Sequence, residues 1–235
     1  MKTNLVKANI FLGGESGITE TDWFRTRNLF NAGSYIAPHR QCFDKLYLLN
    51  EETLAPGRSL TGEVNHDYWL LLLPVWGRIR YAGSAHNSYN LQPGQLLWVP
   101  APARHMYSVS NLEENENVHF VQLLLKQEKA FVADRPILQS MDASDYQNQL
   151  LSPGNADSSA SARFYLGQFS GRKKGQHRWE QPRNVFVYCL QGAMELEDRL
   201  LHAGDGIGLW QMEGMEWEAL SQYALFLVVA FPSGN

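Results

Sequence analysis

Four polar residues, Glu63, Asn65, His66 and Asp67, crowd the run EVNHDYW (63–69), which leads directly into the apolar run LLLLPVW (70–76). Further along, His105 and Tyr107 follow a proline-rich turn. Carboxylate, imidazole, amide and phenol groups at the mouth of an apolar element can either ligate a metal or hydrogen-bond an organic ligand. Side chains alternate along a strand, so Glu63 and Asn65 should share one side, His66 the other, and His105 and Tyr107 should also share a side. Glu63, Asn65, His105 and Tyr107 are therefore expected to converge, with Trp69 and Trp98 as aromatic walls. Glu63, His66 and His105 are the candidate metal ligands. Only two strong ligand types fall in the converging set, whereas a transition-metal site with open positions for chemistry needs about three. The expected cofactor is accordingly none, with iron or another divalent transition metal required only if this site is functional. The sequence offers no nucleophile with a base at recognisable spacing, no phosphate loop and no paired catalytic carboxylates.

The elements that must position these residues read as strands. Short runs rich in Leu, Val, Phe, Tyr and Trp, from LYLLN (46–50) to ALFLVVAFP (224–232), recur every 8 to 15 residues with Gly or Pro between them. Such spacing belongs to a sandwich or barrel. One short helix is expected, around ASDYQNQLL (143–151). Gly57 stands twenty residues before Gly77, and Gly171 twenty-one before Gly192. LQPGQLLWV (91–99) follows in the first half and LHAGDGIGLW (201–210) in the second, so one antiparallel unit has been duplicated. The chain divides into an N-terminal domain (1–130), a connecting segment holding the helix (131–161) and a C-terminal domain (162–235). All but the last residue of the loop-like LLSPGNADSSASA (150–162) falls in the connecting segment.

Composition narrows the partners. The chain has 235 residues, 44% of them hydrophobic, enough for two cores, and its net charge of −4 without long basic runs argues against direct nucleic-acid binding. No stretch reaches the ~18 apolar residues of a membrane span, and the first residues do not read as a signal peptide, so a cytoplasmic protein is expected. Cys42 and Cys189 cannot form a disulfide framework and show no metal spacing. Cys189 reads as a buried thiol, and Cys42, beside His39 and Arg40, as a candidate redox-responsive one.

The pattern resembles the cupin superfamily, whose domains are jelly-roll barrels. Pro93-Gly94, five residues, Pro100-Ala-Pro102, two residues and His105 match its second motif except that proline replaces the last glycine. The first motif keeps Gly57 and its spacing, with Glu63 and Asn65 where two histidines belong and Trp69 where a glutamate belongs. DWFRTRNLFNAGSY (22–35), DKLYLLNEETLAPG (44–57) and the junction QLLSPGNADSSASARFYLGQF (149–169) further resemble the pirin family of bicupins. That resemblance implies an all-β bicupin of two tandem barrels, with any iron in the first. The four pirin ligand positions fall on Glu63, Asn65, Tyr107 and Val109, none of them histidine. In the second barrel His177 survives from the motif, but its partner position is Trp179, and no metal is implied there.

The favoured reading is a pirin-like bicupin with a degenerate metal site, binding a small organic molecule in the N-terminal barrel or acting as a regulatory protein with a protein partner. The alternative is a metal-dependent dioxygenase of quercetinase type acting on flavonol-like phenolics.

Overall fold

The computed structural model describes residues 6–83, 87–132, 135–142, 146–153 and 162–233. The described strands are, in chain order, β1 (Ala8–Phe11), β2 (Gly17–Glu20), β3 (Phe24–Asn28), β4 (Leu46–Leu54), β5 (Ser59–Glu63), β6 (Tyr68–Trp76), β7 (Ile79–Gly83), β8 (Ser88–Leu91), β9 (Gln95–Ala101), β10 (Met106–Asn111), β11 (Val118–Lys126) and β12 (Ile137–Ser140). They continue with β13 (Leu150–Leu151), β14 (Arg163–Ser170), β15 (Lys174–Gln191), β16 (Ala193–Leu196), β17 (Arg199–His202), β18 (Gly206–Ala219) and β19 (Tyr223–Pro232). The expected all-β architecture is the observed one.

Two compact units contain these strands. The first runs from Ser16 to Met141, and the second takes its described residues from segments 6–15, 142–153 and 162–233. An N-terminal domain beginning at residue 1 therefore needs correction. β1 pairs antiparallel with β18, Ala8 opposite Leu209 and Phe11 opposite Gly206, and the Gly13 amide donates to the buried Asp205 carboxylate at 2.7 Å.

In the first unit a seven-stranded sheet, ordered β12-β9-β6-β11-β4-β3-β2, and a four-stranded sheet, ordered β5-β10-β7-β8, enclose one core. Alternation decides which side chains enter it. Tyr68, Leu70 and Leu72 of β6, Leu97 and Val99 of β9, Val118, Phe120 and Leu124 of β11, and Tyr107 and Val109 of β10 form that cluster. The second unit is built on a sheet ordered β13-β14-β19-β15-β18-β16-β17, whose inward residues, among them Val187, Cys189, Leu209, Trp217 and Phe226, fill it with apolar side chains. Cys189 is buried, as expected, and Cys42 is exposed.

The duplicated glycines do the same work in both halves. Gly77 and Gly192 each close a long apolar strand with φ of +74° and +77°, a conformation that strains side chains carrying Cβ.

The helix expected over 143–151 is not formed in its described part. Residues 143–145 lie outside the described residues; beyond them Asn148 has φ 57°, Gln147 bridges Gln168, and Leu150 and Leu151 form β13. Asn148 fixes this course: its amide donates to the Gln168 carbonyl at 2.6 Å, and its side-chain oxygen accepts from Ser170 N at 2.9 Å. Asn tolerates the left-handed conformation and caps neighbouring backbone, which competes with helix. Replacing Asn148 with Ala should cost about 1 kcal/mol through the strained φ and the lost cap, and Asn148→Gly distinctly less. Amide exchange on β14, which reports opening of the unit that holds Asn148, checks this in both variants.

Candidate functional site

β5 and β10 carry the residues singled out in the sequence, and their register settles which of them meet. Glu63 pairs with Met106 and Gly62 with Tyr107. Tyr107 belongs to the inner core, so Gly62 faces inward and Glu63 outward, where both Glu63 and Met106 are exposed. β5 ends at Glu63, and the next residue, Val64, is buried in the same core. The expected inward pair Glu63 and Asn65 is thus replaced by Gly62 and Val64.

The remaining polar residues of EVNHDYW build the rim. Asn65 and His66 are exposed; the Tyr68 hydroxyl donates to Asn65 Oδ1 at 3.4 Å, and His66 lies edge-on to the Tyr68 ring. Asp67 Oδ1 accepts from Ala103 N at 2.9 Å, and Val64 exchanges backbone bonds with Arg104 and His105. These contacts tie the turn before β6 to the proline-rich turn before β10.

His105 and Tyr107 do come together, their rings 6.4 Å apart and nearly parallel. His105 is half-buried, and its Nε2 lies 2.9 Å from the Tyr81 hydroxyl. Burial holds the imidazole pKa below its usual value and pushes that of Tyr81 up, so at neutral pH a neutral imidazole and a neutral phenol share this hydrogen bond. Gln122 Nε2 donates to the Tyr107 hydroxyl at 2.7 Å. Burial raises the Tyr107 pKa to about 12, the Gln122 bond acts against the rise, and the Glu52 charge adds to it.

Trp69 and Trp98 do not line this interior. Their strand neighbours Tyr68, Leu70, Leu97 and Val99 face inward, so by alternation the two indoles lie on the sheet's other face. There they pack edge-on at 6.0 Å, with Phe131 against Trp69 at 5.2 Å and Trp98 Nε1 donating to Gln139 Oε1 at 2.8 Å.

A second polar group on the inner face was not among the sequence candidates. Thr26 on β3, Asn50 and Glu52 on β4 and Gln122 on β11 are all buried and share faces with the core residues Phe24, Leu48, Leu54, Phe120 and Leu124. The Thr26 hydroxyl donates to Glu52 Oε2, and Asn50 Nδ2 donates to Glu52 Oε1 at 3.2 Å. Desolvation raises the Glu52 pKa from 4.5 to about 7, against the bonds from Thr26 and Asn50 and the nearby charge of His119. Its sequence signal was the alternation Leu48, Asn50, Glu52, Leu54, two polar residues on an otherwise apolar face.

The fit to an iron centre is poor. Two of the inward positions at the ends of β5 and β10 carry Gly62 and Val64, which have no ligand atom, and the others His105 and Tyr107. The Tyr107 ring occupies the space above Gly62, where a Cβ would stand 2.5 Å from its Cζ. Among the described residues no three His, Cys, Asp or Glu side chains gather as a metal-holding group. In the second unit His177 packs edge-on between Tyr165 (5.0 Å) and Trp179 (4.9 Å), its pKa lowered by burial and then by the Arg163 charge. No described helix is long and apolar enough to cross a membrane.

Residues 150–229 match the family model of the quercetinase C-terminal cupin domain. The chain is 19% identical over 217 residues, 91% of its length and 94% of the relative's, to a protein named quercetin 2,3-dioxygenase from Escherichia coli K12. It is 25% identical over 137 residues, 58% of each chain, to the pirin-like protein YhaK of the same organism. Among solved structures, YhhW from Escherichia coli superposes with a TM-score of 0.84 at 18% identity over 97% of this chain and 99% of that one. The same fold appears in the crystal structure of bacterial pirin YhhW in complex with nickel(II), with a TM-score of 0.83. Duplicated glycine turns, two β-barrel units, the matched C-terminal domain and relatives that span nearly the whole chain lead to one conclusion: the chain has the bicupin fold, carries a quercetinase-type cupin domain over residues 150–229, and is similar to pirin-like proteins.

Proposed function

We propose that this protein binds a small organic molecule at the mouth of its first barrel, without transition-metal oxygenase chemistry. One observation carries the reading: the inward residues at the ends of β5 and β10 are Gly62, Val64, His105 and Tyr107, a set holding one imidazole and one phenol. A neutral imidazole paired with Tyr81 and a phenol held by Gln122 offer hydrogen-bonding capacity inside an apolar wall, which suits orientation of an organic ligand. A role in the cytoplasm agrees with two free cysteines. Regulation through a protein partner would use the same bound state as its input.

Relatives named quercetin 2,3-dioxygenase make flavonol-like phenolics the first ligands to try. Elemental analysis of untagged protein grown with iron, manganese, zinc, copper and nickel tests the reading. The expected result is well under 0.1 equivalent of any of them, no oxygen uptake with quercetin, and saturable quenching of intrinsic fluorescence by a bound phenolic. Near one equivalent of a transition metal, lost in His105→Ala, would overturn the proposal and restore the dioxygenase.

A further inference from the structure

The polar group deep in the first barrel has a composition that the mouth does not share. Asn50 and Gln122 are direct cross-strand partners, as are Thr26 and Glu52, so the four side chains stand on one inner patch of β3, β4 and β11 with cross-strand Cβ separations of about 5 Å. The Tyr107 hydroxyl closes the patch from the facing sheet through its bond with Gln122. Asn50 and Gln122 are 7% and 5% exposed, yet Asn50 Oδ1 and Gln122 Oε1 are buried without a hydrogen-bond partner. Nor is Asn50 simply turned the wrong way round. At pH 8 the Glu52 carboxylate is ionised and only accepts, so Asn50 must direct its NH2 toward it, and its carbonyl oxygen is the atom left over.

An orphaned buried acceptor is costly because its lost water is not replaced, and here two of them stand on the patch that holds a buried carboxylate. Donors alone would satisfy the amide oxygens; a positive charge would also offset the burial of Glu52. Amide, carboxylate and hydroxyl oxygens are the hard ligands that small, non-transition cations prefer. We propose that Asn50, Glu52, Gln122, Thr26 and Tyr107 form an internal oxygen-lined site for a small monovalent cation, either an alkali ion or an ammonium group. This site shares Tyr107 and its partner Gln122 with the mouth but adds Thr26, Asn50 and Glu52, which the mouth does not use, and the proposal stands whether or not an organic ligand binds there.

The test uses the full-length protein at pH 8 and constant ionic strength in the chlorides of sodium, potassium, ammonium, methylammonium and, as a cation too large to enter, choline. The expected result is a saturable rise in Tm over choline of roughly 5–10 °C at a cation concentration a hundredfold above Kd. Glu52→Gln, which keeps the side-chain volume, should abolish the difference between salts. Should that variant not fold, amide exchange at Asn50 and Gln122 in the unaltered protein supplies the readout, slowing with the cation but not with choline. A response to sodium or potassium assigns an alkali ion; a response to ammonium and methylammonium alone assigns an amine head group. Equal behaviour in all five salts, meaning a patch hydrated by water only, overturns the proposal. So does a cation response that survives Glu52→Gln.

Discussion

From about pH 4.5 to pH 7, the first unit is expected to lose about 3 kcal/mol of stability in choline buffer, and Glu52→Gln should remove most of that slope. Burial at 2% exposure holds the Glu52 pKa at about 7, against 4.5 for an ordinary glutamate. Below about pH 4.5 the carboxyl is protonated in both folded and unfolded chains, and it contributes no pH dependence. Between the two values the unfolded chain has lost the proton while the folded chain keeps it. The unfolded state then binds fewer protons, so stability falls as pH rises. Above pH 7 both states are ionised and the full penalty remains. The amide introduced by Glu52→Gln can still accept from Thr26 but carries no charge to bury, so the variant should match the parent near pH 5 and exceed it by about 2–3 kcal/mol at pH 8. Two units in one chain make a single global ΔG ill defined, and the measurement is therefore amide exchange on β4 and β11, which reports opening of this unit alone. An equal pH slope in parent and variant would show that Glu52 is not the group responsible.

Much of the fold was legible in the sequence because turns are local. Gly77 and Gly192 announce their left-handed turns through residue type and position alone, and the spacing of apolar runs between such turns fixes an all-β chain. Pairing of β1 with β18 was not legible, since ANIF carries no signal of a partner two hundred residues away. The site was harder for a related reason: alternation gives the spacing of inward residues but not the phase. Reading the strand through Glu63 and Asn65 puts the polar residues inside, whereas β5 ends at Glu63 and the phase set by Tyr107 and Gly62 puts them outside. The chemistry of the alternative was visible in Val64, which is apolar and so the better candidate for burial. Trp69 and Trp98 failed for the opposite reason. WLLLLPVW and QLLWVP are apolar at nearly every position because both faces of the sheet are covered, and such runs carry no phase at all. Asn50 and Glu52 were hidden because polar residues at alternate positions read as a solvent face. Only the structure shows Leu48 and Leu54 on the same side facing inward.

Gly62→Ala is expected to destabilise the first unit by about 2–3 kcal/mol, although the backbone at residue 62 is not in the left-handed region. The penalty comes from Tyr107. An added Cβ would stand 2.5 Å from both Cζ and the hydroxyl oxygen of that ring, well inside van der Waals contact. The ring has little freedom to retreat: its hydroxyl is held by Gln122 at 2.7 Å, and Tyr81 and His105 lie alongside it. Removing the ring should remove the clash. Tyr107→Ala alone leaves a cavity and costs about 3–5 kcal/mol, but adding Gly62→Ala to it should cost less than about 1 kcal/mol, a strong coupling between the two positions. A double-mutant cycle read by amide exchange on β10 measures that coupling, and additive costs would mean that Tyr107 does not lie over Gly62. The coupling bears directly on metal chemistry. A histidine placed at position 62 would have to project through the same space, so restoring a ligand there requires a smaller residue at 107 first. Gly62 and Tyr107 are thus sterically one unit: the phenol takes the volume that an imidazole at position 62 of β5 would need.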